Sequence, residues 1–215
     1  MIKLCVFDLD GTLLNSLDDL ASSTNYALTK NGFPTRTQEE YRRFVSDGLP
    51  MLIQRALGDN YSPEAGLRLT EDFVAHYSAH YVDATRLYEG VPELLDELVA
   101  HGLQLAILSN KPDRFLQMMI AKLFPTSPFA MVQGKTDQFP VKPDPAALLY
   151  VLEKLRISPA DTLYIGDSAA DMLTAHNAGV KAAGVTWGFR DRGELEAAGA
   201  DYIVESPRDI LSLAT

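Results

Sequence analysis

The sequence predicts an α/β fold: a doubly wound (Rossmann-like) parallel sheet flanked by helices, with a small all-helical domain inserted into it. Three observations lead to this prediction. Short, nearly continuous apolar stretches are typical of strands buried on both faces. Helical patterns alternate with these stretches, which implies a parallel sheet with right-handed crossovers. One long block near the N-terminus interrupts the alternation and has helical patterns only.

Six strands are predicted from apolar stretches that end at polar or glycine-containing turns. They cover residues 3–9, 103–108, 130–133, 162–165, 181–186 and 202–204. Helices are predicted between them. The apolar side chains of residues 91–99 recur at helical spacing, between Pro92 near the start and Gly102 after the end. Two further helical patterns begin at Pro112 and Pro145.

The interrupting block contains four helical patterns and no convincing strand. The patterns cover residues 18–30, 38–45, 50–57 and 64–80. We therefore predict an α/β core domain made of residues 1–15 and 84–215, and a helical domain made of residues 16–83.

Composition limits the classes of function. The net charge of −10 argues against non-specific binding to nucleic acid, which needs a basic surface. No apolar stretch approaches the roughly 20 residues that span a bilayer, and no basic or amphipathic segment suggests a membrane surface. The one cysteine, Cys5, cannot form an intrachain disulfide, and no secretion signal is evident, so we expect a cytoplasmic protein. Nothing indicates an oligomeric state.

The first motif, Asp8-Leu9-Asp10-Gly11-Thr12, follows the first predicted strand. Residues two apart on a strand face the same way, so both carboxylates can point at one site. Such close carboxylates repel each other unless a cation or proton intervenes. The pair could therefore be a Mg²⁺ site with a nucleophile and an acid/base, or an ordinary acidic turn, since Asp-Gly is common in turns.

Three more motifs follow later strands. Ser109-Asn110-Lys111 offers a hydroxyl and backbone N–H groups for phosphate oxygens, or is a polar loop. Lys142, between prolines of the next loop, is a fixed point charge for phosphate or a solvated lysine. Asp167 and Asp171 share a face on a first helical turn, as metal ligands or as helix-capping residues.

The joint arrangement favours the functional interpretation of all four motifs. Each motif lies at the end of a predicted strand, and the carboxyl ends of parallel strands meet at one edge of a sheet, where ligands bind.

These motifs resemble the phosphatase branch of the haloacid dehalogenase superfamily, in the same order and over most of the chain. The helical block is similar to the cap domain of that family. The resemblance implies that Asp8 takes the phosphoryl group and that Asp10 is the acid/base. Ser109 and Lys142 would hold phosphoryl oxygens. Mg²⁺ would be bound by Asp8, Asp10 through its carbonyl, and Asp167, with Asp171 in support.

Within that family, the motif at Ser109 and the tetrapeptide Val185-Thr186-Trp187-Gly188 resemble the bacterial phosphoglycolate phosphatases. A small phosphorylated metabolite is therefore the expected substrate. The residues expected to contact its phosphate or carboxylate are Thr12, Ser109, Asn110, Lys111, Arg42 and Arg43. Arg42 and Arg43 could equally be solvated helix charges. The cap segment Val45-Ser46-Asp47-Gly48 only partly resembles the glycine-rich substrate loop of that subgroup, so the exact substrate stays open.

Other functions use similar residues. A phosphosugar mutase or a pyrophosphatase of the same superfamily would share the aspartate pair. A receiver-type signalling module also has acidic strand ends and a lysine, but its phospho-accepting aspartate would not be followed by an acid/base and a cap. A silent binding protein should have lost one of Asp8, Asp10, Lys142 or Asp167, and the chain keeps them all.

Overall fold

The computed structural model describes all 215 residues. The strands are β1 (Leu4–Phe7), β2 (Leu14–Asn15), β3 (Arg86–Leu87), β4 (Gln104–Pro112), β5 (Phe129–Lys135), β6 (Thr162–Gly166), β7 (Lys181–Val185) and β8 (Tyr202–Val204). The helices are α1 (Leu17–Lys30), α2 (Gln38–Phe44), α3 (Leu49–Leu57), α4 (Pro63–His80), α5 (Val91–Ala100), α6 (Asp113–Leu123), α7 (Ala146–Leu155), α8 (Ala169–Asn177), α9 (Arg192–Ala197) and α10 (Pro207–Ala214).

Six strands form one parallel sheet in the order β5-β4-β1-β6-β7-β8. The chain builds outward from β1 to β4 and β5, then returns to the other side of β1 with β6, β7 and β8. The strand order therefore reverses at β1, and the crevice beyond the carboxyl end of such a strand is the usual ligand site of an open α/β sheet. All six predicted strands and the doubly wound parallel sheet are confirmed.

Both faces of the sheet are buried, as the continuous apolar stretches predict. Side chains alternate along a strand, so Cys5 and Phe7 of β1 join a cluster with α5, α6 and α10 on one face. Leu4 and Val6 join a second cluster with α7 and α8 on the other face. The two layers of helices fix the central strand, and with it the residue that follows, Asp8.

Helices α1 to α4 form a block with its own apolar core of buried residues. The four helices predicted from the sequence are confirmed, within one residue at most ends. Phe115 of α6 and Phe189, from the loop after β7, pack into this core from outside the block. The block therefore rests on the sheet edge where the motifs lie. Its division from the rest of the chain at residues 16 and 83 stays a prediction.

Two short connections join the helical block to the sheet, and their pairing is not evident in the sequence. Strands β2 and β3 pair antiparallel, with Leu14 opposite Leu87. Two-residue strands are too short to produce a periodic pattern. Beside them, the buried Asp19 carboxylate accepts hydrogen bonds from the Ala84 N–H (2.9 Å), the Thr85 N–H (2.8 Å) and the Thr85 hydroxyl (2.7 Å). Asp19 thus ties the start of the block to its end.

None of the ten helices combines the length and the apolar character that a membrane-crossing helix needs.

We predict that Asp19→Ala lowers the free energy of unfolding by about 3 kcal/mol, because it leaves buried donors of Ala84 and Thr85 without an acceptor. Urea denaturation measures this change. The matched control is Asp18→Ala, since Asp18 is the exposed neighbour on the same helix and should cost less than about 0.5 kcal/mol. Equal losses in the two variants would show that the carboxylate of Asp19 does not tie the connections together.

Candidate active site

The four motifs meet at the carboxyl edge of the sheet. Asp8 directly follows β1, and its neighbours in the sheet are β4 on one side and β6 on the other. Strand β4 continues through Ser109-Asn110-Lys111 to Pro112, farther than the sequence predicts, with a register shift against β5. Asp167 follows β6, and Asp171 lies in the first turn of α8. The sheet topology therefore brings together side chains that are far apart in sequence.

Three of these aspartates form a compact acidic group. One carboxylate oxygen of Asp8, of Asp167 and of Asp171 lie within 4.8 Å of one another, and all three residues are buried. The Lys142 ammonium lies among them, 2.9 Å from Asp8 Oδ1 and 2.6 Å from Asp171 Oδ1. When all four groups are ionised, three negative charges and one positive charge leave a net charge of −2. We call these four residues the acidic cluster.

Burial and mutual repulsion shift the pKa values in the acidic cluster. Burial raises the pKa of Asp8 to about 6, although Lys142 counteracts the shift. Burial, and then the charges of Asp171 and Asp8, raise the pKa of Asp167 well above its usual value. For Lys142, burial alone lowers the pKa, but Asp171 and Asp8 outweigh it and hold the pKa well above its ordinary value. For Asp8 and Asp167, burial and repulsion thus disfavour the charged form more than the nearby positive charges favour it.

The acidic cluster suits a divalent cation. Oδ1 of Asp8 is buried, and its one close positive neighbour is the Lys142 ammonium at 2.9 Å, which Asp171 shares. One ammonium does not balance three buried carboxylates when all are ionised. Hard divalent cations prefer oxygen ligands, and a charge of +2 would balance the net charge of the group. The structure therefore provides an acidic group that could bind such a metal.

Asp167 is held in place by the loop that carries the first motif. Its carboxylate accepts hydrogen bonds from the Phe189 N–H (2.8 Å) and the Thr12 hydroxyl (3.3 Å). Gly11 has a φ of +91°, and a Cβ there would lie 2.2 Å from Asp167 Oδ2, so no other residue fits. The Thr12 hydroxyl donates to Asp167, and the predicted contact of Thr12 with phosphate stays a prediction.

Asp171 orients Lys142 as well as capping its own helix. One carboxylate oxygen accepts hydrogen bonds from the N–H (3.0 Å) and the hydroxyl (2.6 Å) of Ser168, which completes a capping box at the start of α8. The other oxygen binds Lys142, which also lies 3.2 Å from the buried hydroxyl of Tyr164. The capping and functional interpretations of Asp171 are therefore compatible.

Asp10 lies beside the acidic cluster but is not one of its three carboxylates. Its oxygens accept hydrogen bonds from the Lys111 ammonium at 3.1 and 2.9 Å, and from the Ser16 hydroxyl at 2.5 Å. Only 3% of the Lys111 side chain and 14% of the Asp10 side chain are exposed, so this ion pair is largely desolvated. The pair fixes Asp10 at the edge of the cavity described next.

A cavity of about 50 Å³ lies between the helical block and the sheet edge. Asp8, Asp10, Ser109, Asn110 and Lys111 lie along the sheet side. The helical block adds two hydroxyl-bearing residues, Ser46 and Tyr77. Its apolar side chains at the cavity are those of Leu20, Val45, Leu49, Leu52 and Phe73. A small ligand in this cavity would touch the predicted nucleophile and residues of the block together.

Asn110 is a structural bridge in this cavity. Its side chain accepts a hydrogen bond from the Lys142 N–H (2.8 Å) and donates to the carbonyls of Ser46 (3.0 Å) and Lys142 (3.4 Å). These backbone contacts engage both ends of the amide that was predicted to bind the substrate. Asn110 therefore links the loop of Lys142 to the helical block.

Arg42 and Arg43 lie away from the cavity, at the C-terminal end of α2. Arg42 donates a long hydrogen bond to the Gly188 carbonyl (3.4 Å). Arg43 pairs with Glu39 one helical turn earlier, and its side chain is 78% exposed. Neither residue lines the cavity, because the helix directs them to its outer faces. The roles of all the predicted site residues stay predictions.

Sequence reasoning missed three residues beside the site: Ser46, Tyr77 and Tyr164. Tyr164 falls within the apolar stretch of β6, and Tyr77 falls within the apolar face of α4, so each reads as a core residue. Ser46 lies in the segment that resembles a substrate loop only in part, which was the one available signal. Their positions depend on how the helical block packs on the sheet.

Comparison with known proteins identifies the family. The model of the haloacid dehalogenase-like hydrolases matches residues 5–185. A protein of Mannheimia succiniciproducens named phosphoglycolate phosphatase is 35% identical over 98% of this chain and 97% of its own length. One of the same name from Vibrio parahaemolyticus is also 35% identical, over 99% of this chain and 96% of its own.

Solved structures give the same result. The crystal structure of a predicted phosphoglycolate phosphatase from Haemophilus somnus superposes with a TM-score of 0.93. The two sequences are 31% identical, and the superposition covers all of this chain and 98% of that one. The agreement extends over the sheet, the helical block and the edge where the motifs meet. The chain therefore belongs to the haloacid dehalogenase-like hydrolase family.

Proposed function

We propose that this protein is a Mg²⁺-dependent phosphoglycolate phosphatase that acts through a phospho-aspartate at Asp8. One observation carries the proposal: the buried carboxylate of Asp8 lies 2.9 Å from the Lys142 ammonium, next to Asp167 and Asp171, and Asp8 also lines a small cavity. The choice of substrate is supported by the full-length relatives that bear this name.

The proposed reaction has two steps. The first step requires the protonated form of Asp10: a carboxylate oxygen of Asp8 attacks phosphorus, the bond from phosphorus to the ester oxygen breaks, and the Asp10 proton passes to the departing glycolate. In the second, the Asp10 carboxylate takes a proton from water, the water oxygen attacks phosphorus, and the bond from phosphorus to the Asp8 oxygen breaks, which releases phosphate and restores protonated Asp10. Dividing the reaction in this way lowers each barrier. Acid/base catalysis of this kind contributes about 10²–10⁴-fold.

The surrounding residues prepare these two aspartates. Lys142 offsets the negative charge where an anionic nucleophile must approach an anionic phosphate, and Ser109 supplies a hydroxyl to the phosphoryl oxygens. Lys111 and Ser16 hold the Asp10 carboxylate at one place. Because the folded protein already fixes this carboxylate, little further conformational entropy is lost when the transition state forms.

Asp8, Asp167 and the carbonyl of Asp10 would hold Mg²⁺, with Asp171 in support. The metal, when bound, supplies positive charge that reduces the repulsion between Asp8 and the phosphate. Thr12 and Phe189 fix the Asp167 carboxylate that would face it.

We propose that residues 16–83 act as a cap over this site. The apolar walls that the block contributes to the cavity would exclude bulk water during the first step and select a small leaving group. We also propose that the enzyme acts in the cytoplasm, because a single reduced thiol at Cys5 and a small metabolite substrate are both compatible with that compartment.

The alternatives use the same site but receive less support. A phosphosugar mutase or a pyrophosphatase would share the aspartate pair, but the full-length relatives named here are phosphatases of phosphoglycolate. A receiver-type module is disfavoured because the chain belongs to a hydrolase family and carries a helical block over the site.

We predict that Asp8→Asn lowers kcat for 2-phosphoglycolate by at least about 10⁴-fold, because an amide cannot attack phosphorus. Release of inorganic phosphate measures this change. Asp18→Asn, which alters an exposed aspartate on α1, should keep full activity. Substantial turnover in the Asp8→Asn protein would rule out the covalent route.

We predict that Mg²⁺ stabilises the folded protein by about 2.7 kcal/mol at a concentration 100 times its Kd, because the folded state alone assembles the acidic cluster. Urea denaturation with and without Mg²⁺ measures this effect independently of activity. Asp167→Asn should remove most of it, and Asp18→Asn none. Equal stabilisation of both variants would place the metal elsewhere.

A further inference from the structure

Two hydroxyls beside the cavity donate to no acceptor in the protein. Tyr77 Oη and Ser46 Oγ are buried, the only polar group beside Tyr77 Oη is the Lys111 ammonium, itself a donor, and both residues belong to the helical block and line the cavity. Most buried side-chain polar atoms are hydrogen-bonded, and each exception calls for an explanation. A ligand that accepts hydrogen bonds would provide one for both hydroxyls at once.

Tyr77 is held rigidly on α4. The residue is 1% exposed, its ring stacks on Phe73 at 5.1 Å, and its edge meets Phe115 at 5.0 Å. The Lys111 ammonium lies 5.1 Å from the centre of the same ring. Packing thus fixes the ring, and the hydroxyl lies beside the Lys111–Asp10 ion pair without a protein acceptor for its own proton.

Ser46 has a strained backbone that the core of the protein keeps in place. Its φ of +88° lies in the left-handed region, which only one other non-glycine residue of the chain adopts. Asn110 donates to its carbonyl at 3.0 Å, and Arg190 donates to the preceding carbonyl of Val45 at 2.8 Å. Strain that the surrounding structure maintains is concentrated at functional sites.

We propose that Tyr77 and Ser46 determine specificity by donating hydrogen bonds to the carboxylate of the substrate's leaving group. This inference rests on the proposed function, in which that group is glycolate. Both hydroxyls lie on the cap side of a small cavity whose sheet side carries Asp8. Lys111 could add one more donor, since an ammonium has three and the Asp10 carboxylate engages two at most.

The test compares two substrates that differ in one group. Ethyl phosphate has the same two carbons as 2-phosphoglycolate but lacks the carboxylate. Tyr77→Phe and Ser46→Ala should each lower kcat/KM for 2-phosphoglycolate by about 10- to 100-fold, because each removes a donor to a charged group. For ethyl phosphate, kcat/KM should change by less than about threefold.

Two controls separate recognition from structure. Tyr26→Phe removes the hydroxyl of a half-exposed tyrosine elsewhere on the helical block and should change neither substrate. Tyr77→Phe should change the free energy of unfolding by less than about 1 kcal/mol, because the lost hydroxyl donates to no protein acceptor and the Lys111 ammonium beside it keeps its bonds to Asp10.

The outcomes are distinct. Wild-type preference for 2-phosphoglycolate that falls selectively in both variants supports the inference. If the wild type shows this preference but the variants keep it, or if kcat/KM falls equally for both substrates, the inference is overturned and the proposed function stands. A wild-type protein that does not prefer 2-phosphoglycolate overturns the proposed function and this inference with it.

Discussion

The balance of charge in the acidic cluster is the constraint on which the rest of the site depends. Three buried carboxyl groups face a single ammonium, so the group carries excess negative charge inside the protein when all of them are ionised. A buried charge without compensation is unstable, and a protein keeps such a group only when something else repays its cost. The proposed divalent cation would provide that compensation, and its positive charge would also favour the approach of an anionic phosphate to Asp8 at the switch point of the sheet.

The contacts around the acidic cluster connect the sheet to the helical block. Asn110 binds both the backbone at Lys142 and the carbonyl of Ser46, so one side chain links the charge beside the nucleophile to the wall of the cavity. Arg190 and Asp19 make further links between the two parts of the chain. Movement of the block would therefore displace Asn110 and, through it, the backbone of Lys142, so the proposed cap could influence the chemistry through these contacts.

Much of this architecture could be predicted from the sequence, because it depends on local patterns. Apolar stretches defined the six strands of the sheet, and the position of each motif at a strand end predicted that Asp8, Lys142, Asp167 and Asp171 would meet. The details of pairing could not be predicted in the same way. The sequence does not show that Lys111 binds Asp10, that Thr12 faces Asp167, or that Arg43 points to solvent.

These misses share a cause. Each depends on the packing of the helical block against the sheet or on the conformation of a single loop, and neither leaves a periodic signal. Tyr77 and Ser46 are the clearest cases, since one reads as a core residue and the other as part of a polar loop. Their buried hydroxyls without acceptors result from the way the block and the sheet edge enclose one cavity.

The most direct test of the account is acid quenching of the enzyme within the first turnover of 2-phosphoglycolate that carries a radioactive phosphoryl group. The account predicts a labelled protein whose label is lost on treatment with hydroxylamine, as an acyl phosphate requires, and maps to the peptide that contains Asp8. Turnover without label on the protein, or with label on a peptide that lacks Asp8, would contradict it.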